Sequence, residues 1–225
     1  MIDIKLSKKS AQMNNKDAKI KICGIKDVKI VKDLLNFKID FLGLNFIENS
    51  KRFIDKNIAF DICNKIKETK KPIKIVGLFQ DHEKEYVNKL AKFVGLDYVQ
   101  LCGNESLEYV NEIDCKSIKT IHIKLDNNVD EIRDKINNYL QNCEYVILDT
   151  FSKKSAGGTG IAFDWKKYKE LFCKNIFLAG GLNPDNINNA VKISNPWGVD
   201  VSSGVETNGE KDVNKILNFI KLCHD

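Results

Sequence analysis

Short apolar runs rich in β-branched and aromatic residues recur at 20–23, 39–44, 73–79, 97–101, 117–123, 144–148, 176–179 and 197–201. Their length suits strands, and their nearly unbroken apolar character suits strands covered on both faces. Between them the spacing becomes helical: Val28, Ile30, Val31, Leu34 and Leu35 follow the first run, and Val87, Leu90, Ala91 and Val94 the third. A strand that reaches its neighbour through a helix must cross over, which makes the two parallel. Eight such units in 225 residues predict an α/β fold, a single closed (β/α)8 TIM barrel of parallel strands over residues 18–225. An open doubly wound sheet is the structural rival, weakened because no GxGxxG follows the first strand. Residues 1–17, MIDIKLSKKSAQMNNKD, carry none of this pattern and are expected to form a flexible N-terminal extension.

Composition narrows the function classes. The chain has 36 basic and 31 acidic residues, a formal charge of +5, and only two arginines, Arg52 and Arg133. Lysines spread beside Asp and Glu along every helix read as a solvated surface, not as a nucleic-acid interface, though a basic mouth for an anionic substrate is compatible with them. Seven cysteines, at 23, 63, 102, 115, 143, 173 and 223, make an odd count without CxxC spacing, so neither a disulfide framework nor a metal site is expected. The N-terminus lacks the apolar stretch of a signal peptide, and nowhere do 18 apolar residues run together. The expectation is a cytoplasmic protein without a membrane partner.

In a barrel of this kind chemistry sits at the C-terminal ends of the strands. The first apolar run ends in Cys23, and a later one, Val146-Ile147-Leu148-Asp149-Thr150, presents a carboxylate. Three glycine-rich turns follow, at Ala156-Gly157-Gly158-Thr159-Gly160, Ala179-Gly180-Gly181 and Ser202-Ser203-Gly204. Such turns expose backbone N–H groups that suit a phosphate, and the last two fall after strands 7 and 8, where barrel phosphate sites often lie. An acid, a base and a phosphate cradle at one mouth suggest a proton-moving enzyme for a small phosphorylated substrate. Blander readings stand beside these: Cys23 as a buried hydrophobe, Asp149 as a strand-end cap, the glycines as turns that need positive φ.

Taken in order, KICGI at 21–25, GLNF at 43–46, SKRFI at 50–54, VGLF at 76–79, DYVQL at 97–101, LDT at 148–150, GGTG at 157–160, FDW at 163–165, LAGGLNPDN at 178–186 and GVDVSSGVE at 198–206 resemble phosphoribosylanthranilate isomerase of tryptophan biosynthesis. The resemblance covers residues 20 to about 222. It implies one barrel domain, no cofactor, and a phosphorylated sugar–anthranilate substrate, with monomer and homodimer both open. The implied reaction is the Amadori rearrangement of N-(5-phosphoribosyl)anthranilate to 1-(2-carboxyphenylamino)-1-deoxyribulose 5-phosphate. By resemblance Asp149 is the general acid on the ring oxygen and Cys23 the general base at C2. A thiol with an ordinary pKa of about 8.5 must then be lowered, or lose its proton only when substrate binds. The carboxyl must be raised from about 3.9 to stay protonated.

The same resemblance gives Arg52 the anthranilate carboxylate, which a guanidinium fork suits, against the alternative of a surface arginine before helix 2. It gives Asp200 a substrate-orienting role, against a structural ion pair, for which Lys21 is the partner in prospect. Gln100 is expected to point its side-chain amide toward the mouth or to bond a neighbouring strand's loop. The phosphate falls to Gly157, Gly158, Gly180, Gly181, Ser202, Ser203 and Gly204, helped by a short helix beginning near Val205. Two departures stand out: Cys102 occupies the place of a histidine in the family's QLHG, and the acidic pair usual after KICG is reduced to Asp27. The related barrel isomerase of histidine biosynthesis is the nearest alternative, but its strand-1 residue would be a carboxylate. Indole-glycerol-phosphate synthase would need a strand-end lysine acid, for which no motif is found. A barrel that binds a phosphorylated ligand without turnover is the remaining alternative.

Overall fold

The computed structural model describes residues 18–124, 126–150 and 165–225. Residues 1–17 and the proposed phosphate ligands Gly157 and Gly158 lie outside them. Eight strands close into one barrel in chain order, each paired in parallel with the next and β8 returning to β1. They are β1 (Lys19–Cys23), β2 (Phe41–Asn45), β3 (Lys74–Phe79), β4 (Tyr98–Leu101), β5 (Ser117–Ile123), β6 (Tyr145–Thr150), β7 (Ile176–Ala179) and β8 (Gly198–Val201). The helices are α1 (Val28–Leu34), α2 (Lys56–Glu68), α3 (Lys84–Val94), α4 (Leu107–Asn111), α5 (Val129–Tyr139), α6 (Trp165–Tyr168), α7 (Ile187–Ser194) and α8 (Val213–His224). The expected barrel is therefore the observed fold, and its rival, the open sheet, is not. No helix among the described residues is long and apolar enough to cross a membrane.

Local chemistry fixes where helices begin. Asp27, Asp55, Ser106, Asn128 and Asp212 each accept a backbone N–H of the first turn, satisfying donors that the helix cannot. Asp27 is thus spent on capping α1. Two features differ from expectation. Strand β6 continues to Thr150, so Asp149 sits within a paired strand opposite His122. The helix expected near Val205 is only a 3₁₀ turn, Ser203–Val205, followed by a two-stranded hairpin, β9 (Glu206–Thr207) and β10 (Glu210–Lys211), before α8. A single 3₁₀ turn aligns too few peptide dipoles to favour a dianion as a helix would.

Alternation along the strands sends every second side chain into the barrel. Near the strand N-termini these are rings: Phe41 and Phe177 lie 5.3 Å apart edge to face, and Tyr145 stacks on Trp197 at 4.8 Å. Tyr98 joins them, 5.5 Å from Tyr145. Val76, Leu78, Ile118 and Ile147 fill the next level. Above, the same alternation delivers Lys21, Cys23, Gln100, Thr120, Asp149 and Asp200. The floor is sealed with hydrocarbon, and the polar groups collect at the C-terminal end.

Candidate active site

Cys23 ends β1 and is buried, at 6% exposure. Gly43, its partner across the β1–β2 ladder, leaves the space that its sulfur uses: a Cβ there would come within 2.9 Å of Sγ. Two residues earlier, Lys21 is completely buried and its Nζ lies 2.9 Å from Asp200 Oδ1 on β8. Burial alone would drive this lysine toward neutrality, but Asp200 and the Cys23 sulfur reverse that and hold its pKa above the usual range. Asp200 is itself raised, by burial first, with Lys21 opposing and Asp149 adding to the rise. Burial also pushes the Cys23 thiol up; Lys21 and Lys211 pull against it and do not win. Of the two routes to a thiolate, this direction favours loss of the proton on substrate binding over a thiol lowered beforehand.

Asp149 lies on the inward face of β6, in line with Ile147, with its side chain 36% exposed. Its Oδ2 is 3.5 Å from His122 Nδ1 on β5. Asp149 acts on Asp200 and Asp200 in turn on Cys23, so the β8 carboxylate links the two electrostatically. Gln100 donates to Thr120 Oγ1 at 3.0 Å, a bond to strand β5 itself and not to a neighbouring strand's loop. Its Oε1 is buried with no partner among the described residues. Cys102 lies beside the same threonine, and burial pushes its thiol up to about 12.

Arg52 lies over the mouth, with its aliphatic stem across the face of Gly24. Its fork is engaged, Nε and Nη2 donating to the two oxygens of Glu206 at 2.6 and 2.9 Å. Glu206 also receives Lys211 Nζ at 2.6 Å. Burial would raise this carboxyl, yet the hydrogen bonds from Arg52 and Lys211 bring it down to about 2. Lys211 reaches back to the Ser202 carbonyl at 2.9 Å, and Ser202 Oγ donates to the Cys23 carbonyl at 3.0 Å. A continuous polar chain thus joins Arg52 to the strand that carries the thiol.

The expected phosphate turns adjoin. Gly180 and Gly181 turn the chain after β7 with φ of 92° and 65°. Gly204 after β8 packs directly on the backbone of Leu182. Ser203 and Gly181 are exposed at this corner.

With this geometry in hand, the profile of the N-(5'-phosphoribosyl)anthranilate (PRA) isomerases matches residues 20–222. The chain belongs to the PRA isomerase family. It is 39% identical to the N-(5'-phosphoribosyl)anthranilate isomerase of Dehalococcoides mccartyi over 211 residues, covering 92% of this chain and 96% of that one. Among solved structures it resembles the phosphoribosyl anthranilate isomerase of Thermotoga maritima, with a TM-score of 0.79, 32% identity, and coverage of 92% and 98%. It also resembles an isomerase bound to reduced 1-(o-carboxyphenylamino)-1-deoxyribulose 5-phosphate, with a TM-score of 0.76, 31% identity, and coverage of 92% and 98%. Membership makes the chain an isomerase and places it in tryptophan biosynthesis.

Three polar residues around the PRA isomerase mouth were not anticipated from the sequence: Glu206, Lys211 and His122. Glu206 closes the GVE motif but is paired with a residue 154 positions away. Lys211 sits in a strand of two residues, too short to show a period. His122 did leave a signal, as the one polar interruption of Ile121-His122-Ile123, in phase with inward Ile118 and Thr120.

Proposed function

We propose that this mouth carries out the Amadori rearrangement of N-(5-phosphoribosyl)anthranilate, with Asp149 as general acid and Cys23 as general base. The supporting observation is that Asp149 acts on Asp200 and Asp200 on Cys23, at the C-terminal end of a barrel whose interior below is filled by apolar side chains. Asp149 gives its proton to the furanose ring oxygen as the C1–O bond breaks, and the anilino nitrogen supplies the electron pair that makes an iminium. That charge acidifies the C2 hydrogen. Cys23 removes it, the C–H pair becomes the C1–C2 double bond of an enolamine, and tautomerisation gives the ketone. Every step is a proton transfer or electron shift within the substrate, so no cofactor is called for.

The raised thiol sets when the base is made. Lys21 and Lys211 already oppose burial, and the iminium adds a third positive charge beside the sulfur, so the thiol releases its own proton to solvent as the ring opens and is free to take the C2 proton. Arg52 takes the anthranilate carboxylate, held ready by Glu206. Asp200 and Gln100 orient the sugar. Gly180, Gly181, Ser202, Ser203 and Gly204, with Gly157 and Gly158, receive the phosphate through backbone N–H groups and hydroxyls.

Growth rescue of a tryptophan auxotroph lacking the isomerase tests this reading. The parent restores growth, while Cys23→Ala and Asp149→Asn do not. Rescue by both variants would defeat the assignment. Assay on the two-phosphate substrate of histidine biosynthesis should give no turnover.

A further inference from the structure

Among the described residues, Asp149 has a side-chain neighbour that the reaction as written does not use. His122 stands opposite it in the β5–β6 register, with Nδ1 3.5 Å from Asp149 Oδ2 and Nε2 3.0 Å from the Cys102 carbonyl oxygen. A carbonyl only accepts, so Nε2 carries a hydrogen whether or not the ring is charged. A neutral ring therefore aims the Nδ1 lone pair at Asp149 and bonds only a protonated carboxyl. A charged ring bonds only a carboxylate. The two arrangements differ in the position of a single proton between the same two atoms.

We propose that His122 is the proton relay of the general acid, sharing one proton with Asp149 and reloading it from solvent through Nδ1 after each transfer to the substrate. The inference rests on the acid role proposed for Asp149. In balance, the shared proton leaves from Asp149 to the ring oxygen, which keeps the electron pair of the broken C1–O bond. The pair is left as carboxylate and neutral imidazole, and a solvent proton on Nδ1 restores it. The proton that Cys23 takes from C2 is a separate one. Exposure fits the role, since the His122 side chain is 43% exposed and the Asp149 side chain 36%.

The groups around the pair favour retention of that proton. From β6, Asp149 raises the imidazole, which burial alone would lower. From β5, Lys119 opposes, but its ammonium is buried and bound to Glu105 Oε2 at 2.7 Å. From β4 come the Cys102 carbonyl, which raises it, and a neutral thiol. From β8, Asp200 interacts with Asp149 and not with the imidazole itself. The ring accordingly holds its proton above the ordinary histidine range. A bare aspartate would lose it near about 4.

Two measurements on the full-length enzyme test the relay. Imidazole ¹⁵N–¹H spectra resolve the three histidines, His82, His122 and His224. The neutral form of His122 should be the Nε2–H tautomer, and its protonation midpoint should fall by about one pH unit or more in Asp149→Asn. The second is the pH profile of kcat/KM. Because burial holds the Cys23 thiol high, the shared proton ionises first and owns the acidic limb of the profile. In His122→Gln, which keeps a donor for the Cys102 carbonyl but has no base, that limb should move to lower pH by about one unit or more. The plateau should fall by the matching factor of about ten or more, and His122→Asn should behave alike. A packing role would lower the plateau and leave the limb in place; that result, or a midpoint unmoved by Asp149→Asn, overturns the relay. Parent-like turnover by Asp149→Asn would instead defeat the acid role itself, so the two failures are distinct.

Discussion

The two ends of the barrel are built from the same strands and solve opposite problems. At the floor, Phe41, Tyr98, Tyr145, Phe177 and Trp197 pack ring against ring. At the mouth charge is buried instead: Lys21 against Asp200 by the same inward alternation, and Lys211 with Arg52 on Glu206 from segments beyond the strands. The floor gains from dispersion and apolar burial, which need no directional partner. The mouth must satisfy each charge individually, because an uncompensated ion in that setting costs several kcal/mol. Stability is thus concentrated below and reactivity above, and the difference predicts which substitutions separate folding from turnover.

The largest effects should fall at both ends with equal force on stability. Phe177 is fully buried, so Phe177→Ala should cost about 3–5 kcal/mol in urea unfolding while kcat per folded molecule is unchanged. Lys21→Met should cost a similar ~3–5 kcal/mol at neutral pH by leaving Asp200 unpaired, and should depress kcat as well. Its stability penalty should shrink as pH falls and Asp200, already raised, takes up a proton. If Phe177→Ala impaired kcat as much as Lys21→Met did, the division between floor and mouth would be wrong.

A smaller effect is expected at Gly43, where an added methyl meets the Cys23 sulfur. Gly43→Ala should cost about 1–3 kcal/mol by overpacking, and should slow alkylation of Cys23 relative to the parent. The smallest effect is acid sensitivity at Glu206. Its folded pKa of about 2 lies below the unfolded value of about 4.3. The stability that it contributes is therefore complete above about 4.3 and fades as pH falls toward 2. Glu206→Gln should flatten the pH dependence of the unfolding midpoint in that window, and an unaltered slope would dissociate Glu206 from Arg52 and Lys211.

How much of this the sequence disclosed follows from the range of each interaction. The strands were legible because apolar runs report burial locally, and the Lys21–Asp200 pairing was foreseeable because both positions follow from period-two alternation on adjacent strands β1 and β8. Cys23 and Asp149 were located by motif together with strand position. The occupancy of the Arg52 fork was not legible: its partner lies in a hairpin whose strands are two residues each, with no periodicity to read. Nor could residue identity reveal that the Cys23 thiol is raised, since its pKa depends first on burial and then on two lysines, one of them from the distant β9–β10 hairpin.

The central claim is that the thiol and the carboxyl of this mouth move the protons of the isomerisation. The most direct measurement is kcat of purified Cys23→Ala and Asp149→Asn on N-(5-phosphoribosyl)anthranilate, with each variant's unfolding midpoint recorded alongside. The account predicts a loss of ~10²- to 10⁴-fold in each with folding intact. Turnover within about threefold of the parent in either folded variant would contradict it, since a proton carrier that can be removed without cost carries no proton.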